Sequence, residues 1–503
     1  MMFLEESGLR NRRAVPLGAI AEQAVEPFRQ TVLDAVTEGW RVVSFFGMPE
    51  ARDLTRLIAI LADDPAGQLG ATTTVVSASY PALTPDCPQV HAFEREIAEQ
   101  CAVLPEGHGW LKPLRRHLPD HRPPYGPELV LDPEIHPFHR IEGEEVHEVA
   151  VGPVHAGIIE PGHFRFQAHG EEVLHLEIML GYQHRGVERL LETVDAARAV
   201  LVAESIAGDT VIGHAGAYTG AIEALAENPK SPRAQAIHGI ALELERMSNH
   251  IGDLGAIAGD IAFMPAAAFF GRMRGECLNL LMTVSGNRFG RGLLRAGGVL
   301  FDITPAMARD MIGRLERLRD ELASVAHLML SNAAVLARLE GVGVVTPEQC
   351  TELGFVGPVA RSCGMTRDVR HDHPHGIYRF AHIPVALASG GDVHARTLVR
   401  WLEVQRSLEF VVEQLGALPS GKTQIACGQL RPNHIVLALQ EGWRGEIGHA
   451  VVTDGNGRIR RHKVTDPSFH NWTALSVALP GNQISDFPLC NKSFNLSYAG
   501  HDL

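Results

Sequence analysis

Five helical patterns follow one another between residues 190 and 416, and they limit the fold of this chain more than any other feature of its sequence. The patterns cover residues 190–206, 210–227, 232–258, 305–340 and 393–416. The third pattern carries an apolar stripe at helical spacing, formed by Ile237, Ile240, Leu244, Met247 and Ile251. Because such stripes need other apolar surfaces to pack against, the sequence predicts a large domain built mainly as a helical bundle.

Two of these helices have N-terminal signals. Thr304 stands directly before Pro305, and threonine is favoured as an N-cap just as proline is favoured at the first helical position. Asp392 precedes the pattern over 393–416 and is a second candidate N-cap. The sequence therefore predicts that helices start close to these two residues.

The segments on either side of the bundle predict small β-sheets at its margins. Residues 151–180 alternate in a strand-like way, with a turn at Glu160-Pro161-Gly162. Residues 448–469 indicate a hairpin that turns at 454–457, where the sequence reads Asp-Gly-Asn-Gly.

The first 125 residues predict a separate small α+β domain. Short apolar runs at 40–48 and 72–83 flank the stretch EARDLTRLIAILADD, residues 50–64. In that stretch four aliphatic residues recur at the spacing of a helix, namely Leu54, Leu57, Ile58 and Leu61. A linker is predicted over 126–149, before the large domain at 150–503. The fold class predicted for the whole chain is α+β.

The charge of the chain argues against a nucleic-acid partner. The sequence has 45 Lys and Arg against 59 Asp and Glu, and it lacks the basic patch that a phosphate backbone requires. No window of about 18 uninterrupted apolar residues occurs, and the start of the chain lacks the apolar core of a signal peptide. These features predict a cytoplasmic protein.

The seven cysteines are scattered and never form a CxxC pair. This pattern argues against a disulfide framework and against a cysteine-ligated zinc or iron–sulfur site within this chain. The histidines of the HDHPH segment, His371, His373 and His375, share no helical face, so a polar loop is favoured over a metal site. Gly-x-Gly patterns such as DGNGR do not follow a strand and open a helix, as a dinucleotide-binding loop must.

Five segments follow one another and span nearly all of residues 150–503, namely PGHFRFQAHGEEVLHLEIMLGYQHRGVERLLE, ELERMSNHIGDLG, VGPVARSCGMTRDVRHDHP, VTDPSFHNW and GNQISDFPL. In this order they resemble the large subunit shared by group 4 nickel–iron hydrogenases and the 49-kDa subunit of respiratory complex I. In the first domain, FEREIAEQCAVLPEGHGWLKPLRRH resembles the 30-kDa subunit of complex I. The fusion of the two resembles the large subunit of formate hydrogenlyase.

The resemblance implies that a metal site is missing. In the hydrogenases two CxxC pairs hold nickel and iron, because soft anionic thiolates bind nickel firmly and bridge it to iron. The corresponding residues, called the ligand positions below, are Ala207, Thr210, Ser497 and Gly500. The resemblance therefore implies no nickel–iron centre, and it places the end of the chain near the end of a matured hydrogenase. The lone thiols of Cys363 and Cys490 are interpreted as buried small apolar groups.

The resemblance to complex I also implies a pocket for a quinone. There the headgroup meets a histidine of the first hairpin and a tyrosine after the loop, which correspond to His163 and Tyr218. Paired proton donors suit a quinone, which takes up two electrons and two protons when it is reduced. Formate hydrogenlyase large subunits resemble this chain in the same two residues without a quinone role, so a structural role for the pair stays open.

Six charged or titratable residues are candidates for proton transfer or for lining the cavity. They are Glu204, His214, Arg367, Asp368, Arg370 and Asp372. Buried arginines with nearby carboxylates commonly form ion-pair networks that hold a fold, and this is the alternative interpretation of the RDVRHD segment. Three residues of the helix over 232–258 are either polar core groups or relay members, namely Glu243, Glu245 and His250.

The resemblance implies a nickel-free component of a membrane-associated, energy-converting oxidoreductase complex. Two alternatives remain for its function. In the first, the chain completes a pocket in which a quinone or another small acceptor is reduced. In the second, it is a non-catalytic scaffold that couples electron transfer, for example from formate, to ion or proton translocation.

The resemblance also implies partner subunits. They are an iron–sulfur small subunit similar to the 20-kDa subunit of complex I, a ferredoxin-like subunit, antiporter-like membrane subunits and a formate dehydrogenase. The iron–sulfur cluster is expected in the small subunit, and no cofactor is expected on this chain itself. These partners would hold the chain on the inner face of the cell membrane.

Overall fold

The computed structural model of the protein describes residue 4 and residues 7–50, 53–115, 137–155, 159–229 and 231–503. The α-helices in chain order, α1 to α16, are Val25–Thr37, His91–Cys101, Val187–Thr193, Ala196–Ala203, Val211–Leu225, Pro232–Asp260, Met264–Ser285, Pro305–Leu330, Ala333–Leu339, Pro347–Leu353, Gly357–Ser362, Val369–Asp372, Val393–Gly416, Pro467–Ala478, Phe487–Phe494 and Tyr498–Asp502. The β-strands, β1 to β15, are Val15–Pro16, Ala21–Glu22, Arg41–Pro49, Thr55–Asp63, Gln68–Val76, Ser79–Pro81, Leu104–Glu106, Val146–Val151, His163–His169, Glu172–Met179, Leu294–Arg295, Gly298–Val299, His434–Gly442, Gly445–Thr453 and Ile459–Thr465. Helices and strands both contribute to the core, so the α+β fold class is confirmed.

The first sheet has the strand order β2-β5-β4-β3. The helix predicted over residues 50–64 is wrong, because this stretch contains strand β4. On one face of β4, Leu57 and Leu61 pack into one hydrophobic cluster, and on the other face Ile58 and Ile60 pack into another. A strand that is buried on both faces is apolar at nearly every position, so the same run also contains helical spacings.

A second sheet, β1-β13-β14-β15, lies in the interior of the protein. Every residue of β14 is buried. On one side Ile435 shares a hydrophobic cluster with Ile60 of the first sheet, and on the other side Val436 packs with Ala221 of α5. The sequence predicted this sheet at the margin of the helical bundle, and that prediction is wrong. The strands are apolar on both faces of the sheet, so both faces must be buried against other elements.

Buried ion pairs connect the first sheet with the second. The guanidinium of Arg41 on β3 contacts Asp64 and, on β14, Glu446, each at 2.6 Å. The predicted domain boundary at residue 125 and part of the predicted linker over 126–149 lie outside the described residues. Strand β8 begins within the last four positions of that linker.

The helical bundle is centred on α6, which packs against α7 and α13. Both predicted N-caps are confirmed. The Thr304 hydroxyl accepts a hydrogen bond from the Met307 N–H, and the Asp392 carboxylate accepts one from the Ala395 N–H.

Two of the predicted helices are each divided by a polar cap. The pattern over 190–206 lies on α3 and α4, and Asp195 between them accepts hydrogen bonds from two backbone N–H groups of α4. The pattern over 305–340 divides into α8 and α9, which are bent by 75° relative to each other, and Asn332 caps α9. Such side chains capture free N–H groups, so they start a new helix where a single one was predicted.

Helix α7 is absent from the predicted elements. Its buried residues nevertheless recur at helical spacing, as Ala266, Phe270, Met273 and Cys277 show. The helix lies close to α6 at Gly255, where an added Cβ would be 3.1 Å from the Cβ of Phe270. The periodicity that indicates α7 was therefore present in the sequence.

The hairpin predicted to turn at 454–457 is confirmed, since these residues connect β14 to β15. Glu160-Pro161-Gly162 lies in the connection between β8 and β9, which pair antiparallel. A further turn, at residues 170–171, connects β9 to β10.

Among the helices of the described ranges, no single one has both the length and the apolar composition to cross a membrane. The bent pair α8 and α9 passes the same test by length and composition alone.

Candidate functional site

The two segments that carry the ligand positions meet on one side chain. Arg185 donates hydrogen bonds to the carbonyl oxygens of Ser205 (2.6 Å) and Ile206 (2.8 Å). The same guanidinium donates to the carbonyl oxygen of Ala499 at 3.1 Å. Ser205 and Ile206 lead into the first pair of ligand positions, and Ala499 lies inside the second pair. The structure therefore brings together the two segments that carry the ligand positions.

A second arginine joins the same segments from the side of the sheet. Arg444, between β13 and β14, forms a bidentate ion pair with Asp209 at 2.6 and 2.8 Å. It also donates to the Thr210 hydroxyl at 3.2 Å and to the carbonyl oxygen of Asn495 at 2.5 Å. Because the guanidinium fork matches a carboxylate, this bridge holds the two segments in one arrangement.

The side chains at the ligand positions do not fit a nickel–iron centre. The Thr210 hydroxyl accepts a hydrogen bond from Trp443 Nε1 at 3.1 Å, and the Ser497 hydroxyl caps α16 by accepting one from the Gly500 N–H at 2.8 Å. A Cβ added to Gly500 would lie 2.6 Å from the Cγ of Asp466. These residues offer no soft anionic ligand, and a carboxyl group fills the space of the fourth side chain. Within the described ranges, no group of three His, Cys, Asp or Glu residues is placed to hold a metal ion.

A buried histidine lies directly behind the ligand positions. His214, in the first turn of α5, has its Nε2 2.9 Å from Oδ2 of Asp466 and its Nδ1 3.3 Å from Nε2 of His449. Asp466 also caps α14 by accepting a hydrogen bond from the Ser468 N–H. The carboxyl group that fills the space at Gly500 is therefore the same one that contacts His214.

Glu160 belongs to this site, although the sequence indicated only a turn at its position. Its carboxyl group lies near the Ala499 N–H and the Gln183 side chain, and both groups favour its charged form. Burial raises the pKa of Glu160, while Arg444 opposes this rise and Asp209 adds to it. An acidic residue before Pro-Gly gives no local signal of such a role, because only the packing of the turn against α16 creates it.

The site reaches the surface of the chain. Gly208, between the first two ligand positions, is exposed, and the side chain of Asp209 retains 35% of its accessible surface. Glu160 is half-buried, whereas the four ligand positions are buried. In the isolated chain, a partner subunit or a small molecule can therefore reach the carboxyl groups at the edge of the site.

The predicted quinone residues have different neighbours among the described contacts. The ring of His163 packs against Phe138. Tyr218 lies one turn after His214 on the same face of α5, and its ring stacks on His462 with the centroids 5.8 Å apart. Burial raises the pKa of Tyr218 to about 12, so its hydroxyl keeps its proton at neutral pH. The paired role of the two residues stays a prediction.

The RDVRHD segment forms part of a buried ion-pair network. Arg370 contacts Asp368 at 2.6 Å and Glu243 at 3.1 Å. Arg361 lies 3.6 Å from the same Asp368 carboxylate. Burial alone would raise the pKa of Asp368, but the two arginines hold it at about 2. These contacts agree with the interpretation of the segment as a network that holds the fold.

The remaining candidates for proton transfer, Arg367, Asp372 and Glu204, lie at the edge of the ion-pair network or outside it. Arg367 donates to the carbonyl oxygen of Phe355 at 2.9 Å, and Asp372 accepts a hydrogen bond from the Asp368 N–H at 2.9 Å. Glu204 accepts one from the Gly292 N–H, also at 2.9 Å, and burial raises its pKa. Glu204 therefore has partners other than those of His214.

Three polar residues of α6 have distinct roles. Glu243 belongs to the ion-pair network, and His250 lies 2.9 Å from the carboxylate of Glu403. Glu245 accepts a hydrogen bond from the Ile212 N–H at 2.7 Å and so caps α5. Burial raises the pKa of Glu245 to about 8. All three are polar core groups, and Glu245 is the one next to the start of α5.

The chain is similar to known proteins over most of its length. The family described as respiratory-chain NADH dehydrogenase, 49 Kd subunit, matches residues 260–434 and 425–502. Formate hydrogenlyase subunit 5 of Escherichia coli (strain K12) is 30% identical over 441 residues, which cover 84% of this chain and 77% of that relative. The carbon monoxide-induced hydrogenase of Rhodospirillum rubrum is 30% identical over 348 residues, which cover 69% of this chain and 96% of the relative. An NADH-quinone oxidoreductase subunit of Dehalococcoides mccartyi is 28% identical over 341 residues, with 67% and 92% covered.

These relatives are components of hydrogenase and complex I-type assemblies, and another relative, from Pyrococcus furiosus, is a membrane-bound hydrogenase subunit alpha. The family match includes the second pair of ligand positions, Ser497 and Gly500. The chain belongs to the family of group 4 hydrogenase large subunits and complex I 49-kDa subunits.

Proposed function

We propose that the protein is a nickel-free component of a membrane-associated, energy-converting oxidoreductase complex, in which a quinone is reduced beside the ligand positions. The placement of Asp466 carries this proposal, because its carboxyl group both fills the space at Gly500 and contacts His214. A four-thiolate site would need that space for its fourth ligand. A reaction that takes up protons needs a group such as His214 close to the acceptor.

The residues of this chain supply protons, not electrons. Reduction of a quinone to a hydroquinone takes up two electrons and two protons, one proton on each carbonyl oxygen. The electrons come from an iron–sulfur cluster in a partner subunit. His214 supplies one proton through Asp466, which its Nε2 contacts, and Tyr218 on the same face of α5 supplies another. His163 is the donor that the resemblance adds.

The exposed edge of the site is the face for the iron–sulfur small subunit. Gly208 is exposed there, and Asp209, Glu160 and Arg185 border it with partly accessible charged groups. Electron transfer to an acceptor at this edge requires the cluster to pack close by. The ferredoxin-like and antiporter-like subunits and a formate dehydrogenase complete the complex. The N-terminal domain takes the role of the 30-kDa subunit, and the complex holds the chain on the inner face of the membrane.

Two substitutions test the quinone reaction in the purified complex. With reduced methyl viologen as donor and decylubiquinone as acceptor, we expect Tyr218→Phe to lower the rate of quinone reduction about 100-fold, because it removes a proton donor. We expect His163→Ala to lower the rate about tenfold or more. Tyr80→Phe is a matched control, since Tyr80 and Tyr218 are both 3% exposed, and it should keep the wild-type rate. Wild-type rates in both site variants would contradict the quinone reaction.

Elemental analysis tests the nickel-free state. We expect the purified complex to contain nickel far below one atom per chain, because the ligand positions carry no thiolate. Stoichiometric nickel together with hydrogen evolution would show the proposal to be wrong.

A coupling scaffold is the second candidate function, and the buried ion-pair network favours it. Arg361 contacts Glu403 at 2.7 Å and Glu441 at 2.8 Å. Burial raises the pKa of Glu441 although Arg361 opposes the rise, and the raised pKa favours uptake of a proton by this carboxyl group. A scaffold of this kind predicts that Glu441→Gln lowers proton translocation in vesicles, whereas Tyr218→Phe and His163→Ala leave donor oxidation unchanged.

A further inference from the structure

Three fully buried histidines form a continuous hydrogen-bonded chain that starts at Asp466. His214 Nε2 lies 2.9 Å from Asp466 Oδ2. His214 Nδ1 lies 3.3 Å from His449 Nε2, and His449 Nδ1 lies 3.0 Å from His462 Nε2. The three rings are 0% exposed. The chain connects α5 with the two strands β14 and β15 through their side chains.

The chain has one consistent arrangement of protons when all three rings are neutral. The Asp466 carboxylate accepts from His214 Nε2–H, so His214 Nδ1 must accept from His449 Nε2–H. By the same rule His449 Nδ1 accepts from His462 Nε2–H. A lone pair then remains on His462 Nδ1. This atom is buried and has no hydrogen-bond partner in the part of the protein that the structure describes. The chain therefore has an open acceptor at one end and a carboxylate at the other.

Burial keeps the rings of His449 and His462 uncharged. It lowers the pKa of His449 well below the ordinary value, and the neighbouring His462 and His214 lower it further. Burial also lowers the pKa of His462 to about 3, although Glu188 opposes this shift. A neutral imidazole passes a proton by accepting on one nitrogen and releasing from the other, so it need not stay charged.

The open end lies beside a charged cluster of α3 and β15. Glu188 and Arg461 both act on His462 electrostatically. The carboxylate of Glu188 pairs with Arg461 and with Lys463, each at 2.9 Å. The ring of Tyr218 stacks on His462. The chain thus runs from a buried polar cluster to the carboxyl group that fills the space at Gly500.

We propose that His462, His449, His214 and Asp466 form a proton relay that supplies the reaction beside the ligand positions. The relay rests on the proposed function, because an acceptor that takes up protons gives it a direction. A proton that reaches His462 Nδ1 displaces the proton on Nε2 to His449 Nδ1. The same exchange at His449 and then at His214 delivers one proton to Asp466, which passes it to the carbonyl oxygen of the acceptor. Each ring gains one proton and loses one, and no electron moves through the chain.

The test replaces the middle ring of the relay. His449→Gln keeps one donor and one acceptor, but an amide does not pass on a proton as an imidazole does. In the purified complex, the partner's iron–sulfur centres are reduced with limiting dithionite and mixed in a stopped-flow instrument with decylubiquinone or with ferricyanide. Ferricyanide accepts an electron without a proton, whereas the quinone needs both. We expect reoxidation by the quinone to slow about 100-fold in His449→Gln, and reoxidation by ferricyanide to keep its wild-type rate.

The matched control is His470→Gln. His470 is a buried histidine of α14 that does not belong to the hydrogen-bonded row of histidines, and burial lowers its pKa to about 3. This variant should keep both wild-type rates. Equal slowing with both acceptors in His449→Gln, or an unchanged quinone rate, would overturn the relay and leave the quinone reaction standing. A wild-type complex that reduces no quinone would overturn the proposed function and the relay with it.

Discussion

At the scale of the residue, Asp466 links three features that are far apart in the sequence. It caps α14 through the Ser468 N–H, contacts His214 and fills the space beside Gly500. A carboxylate with these three contacts is fixed in position, because each contact restricts the same two oxygens. The absence of a side chain at residue 500 is therefore part of how Asp466, and through it His214, is held in position.

Gly500→Ala tests this close contact. The new methyl group would lie 2.6 Å from the Cγ of Asp466, so we expect the free energy of unfolding in urea to fall by about 1 to 3 kcal/mol. Gly275→Ala in α7 is the control, because a Cβ there meets no atom within 4 Å. The control should gain up to about 1 kcal/mol from its better helix propensity. A gain of similar size in both variants would show that Asp466 leaves room for a side chain.

Only part of this site could be predicted from the sequence. The ligand positions, His214 and Tyr218 lie between or after the segments that resemble a known family, so they could be located by counting from those segments. Arg444, Asp466 and Glu160 come from a strand connection, a helix cap and a turn. They meet only through tertiary packing, which a local pattern does not encode.

At the scale of the element, polar caps decide where one periodic pattern becomes two helices. The apolar spacing of α8 continues into α9, so the sequence indicated one helix over 305–340. Asn332 interrupts it, because its side chain accepts hydrogen bonds from the Ala334 and Val335 N–H groups. Periodicity indicates that a helix is present, while the boundary depends on this competition for hydrogen bonds. The buried strand β4 shows another limit of periodicity. Because its apolar run fits the spacing of a helix as well as that of a strand, the pattern does not identify the element.

Asn332→Ala tests the cap between α8 and α9. Without the amide oxygen of Asn332, the first N–H groups of α9 lose their hydrogen-bond acceptor. We therefore expect the free energy of unfolding to fall by about 1 kcal/mol. The measurement is the urea midpoint followed by circular dichroism. Ser331→Ala is the control, because this exposed hydroxyl donates to the carbonyl oxygen of His327 in the preceding helix and does not cap α9, so it should change the midpoint much less. An increase in stability for Asn332→Ala would indicate that the cap does not stabilise the break.

At the scale of the whole molecule, burial of neutral histidines makes the fold sensitive to acid. Burial lowers the pKa of four buried histidines, which are His250, His449, His462 and His470. As the pH falls below the ordinary histidine value of 6.5, the unfolded chain takes up protons that the folded chain does not. Each such residue therefore makes the free energy of unfolding decrease as the pH falls. The decrease is about 1.4 kcal/mol per pH unit midway between the pKa of the histidine in the unfolded chain and its pKa in the folded chain.

His470→Gln should reduce this acid sensitivity. The window runs from the ordinary value of 6.5 down to about 3, the pKa of His470 in the folded chain. Within it we expect the slope of unfolding free energy against pH to be smaller than in the wild type by about 1.4 kcal/mol per pH unit. Urea unfolding at a series of pH values measures this slope. His327→Gln, at an exposed histidine of α8, should keep the wild-type slope, and an unchanged slope in His470→Gln would contradict the assignment.

The contact between Asp466 and Gly500 also bears on the history of the sequence. Substitution alone could restore cysteines at the other three ligand positions, but a cysteine at residue 500 also requires Asp466 to withdraw. Withdrawal removes the cap of α14 and the partner of His214 in the same step. A thiolate at residue 500 therefore requires a variant that has lost an established contact before any metal can bind. Under the proposed nickel-free function, four cysteine substitutions alone would not create a metal site in this chain.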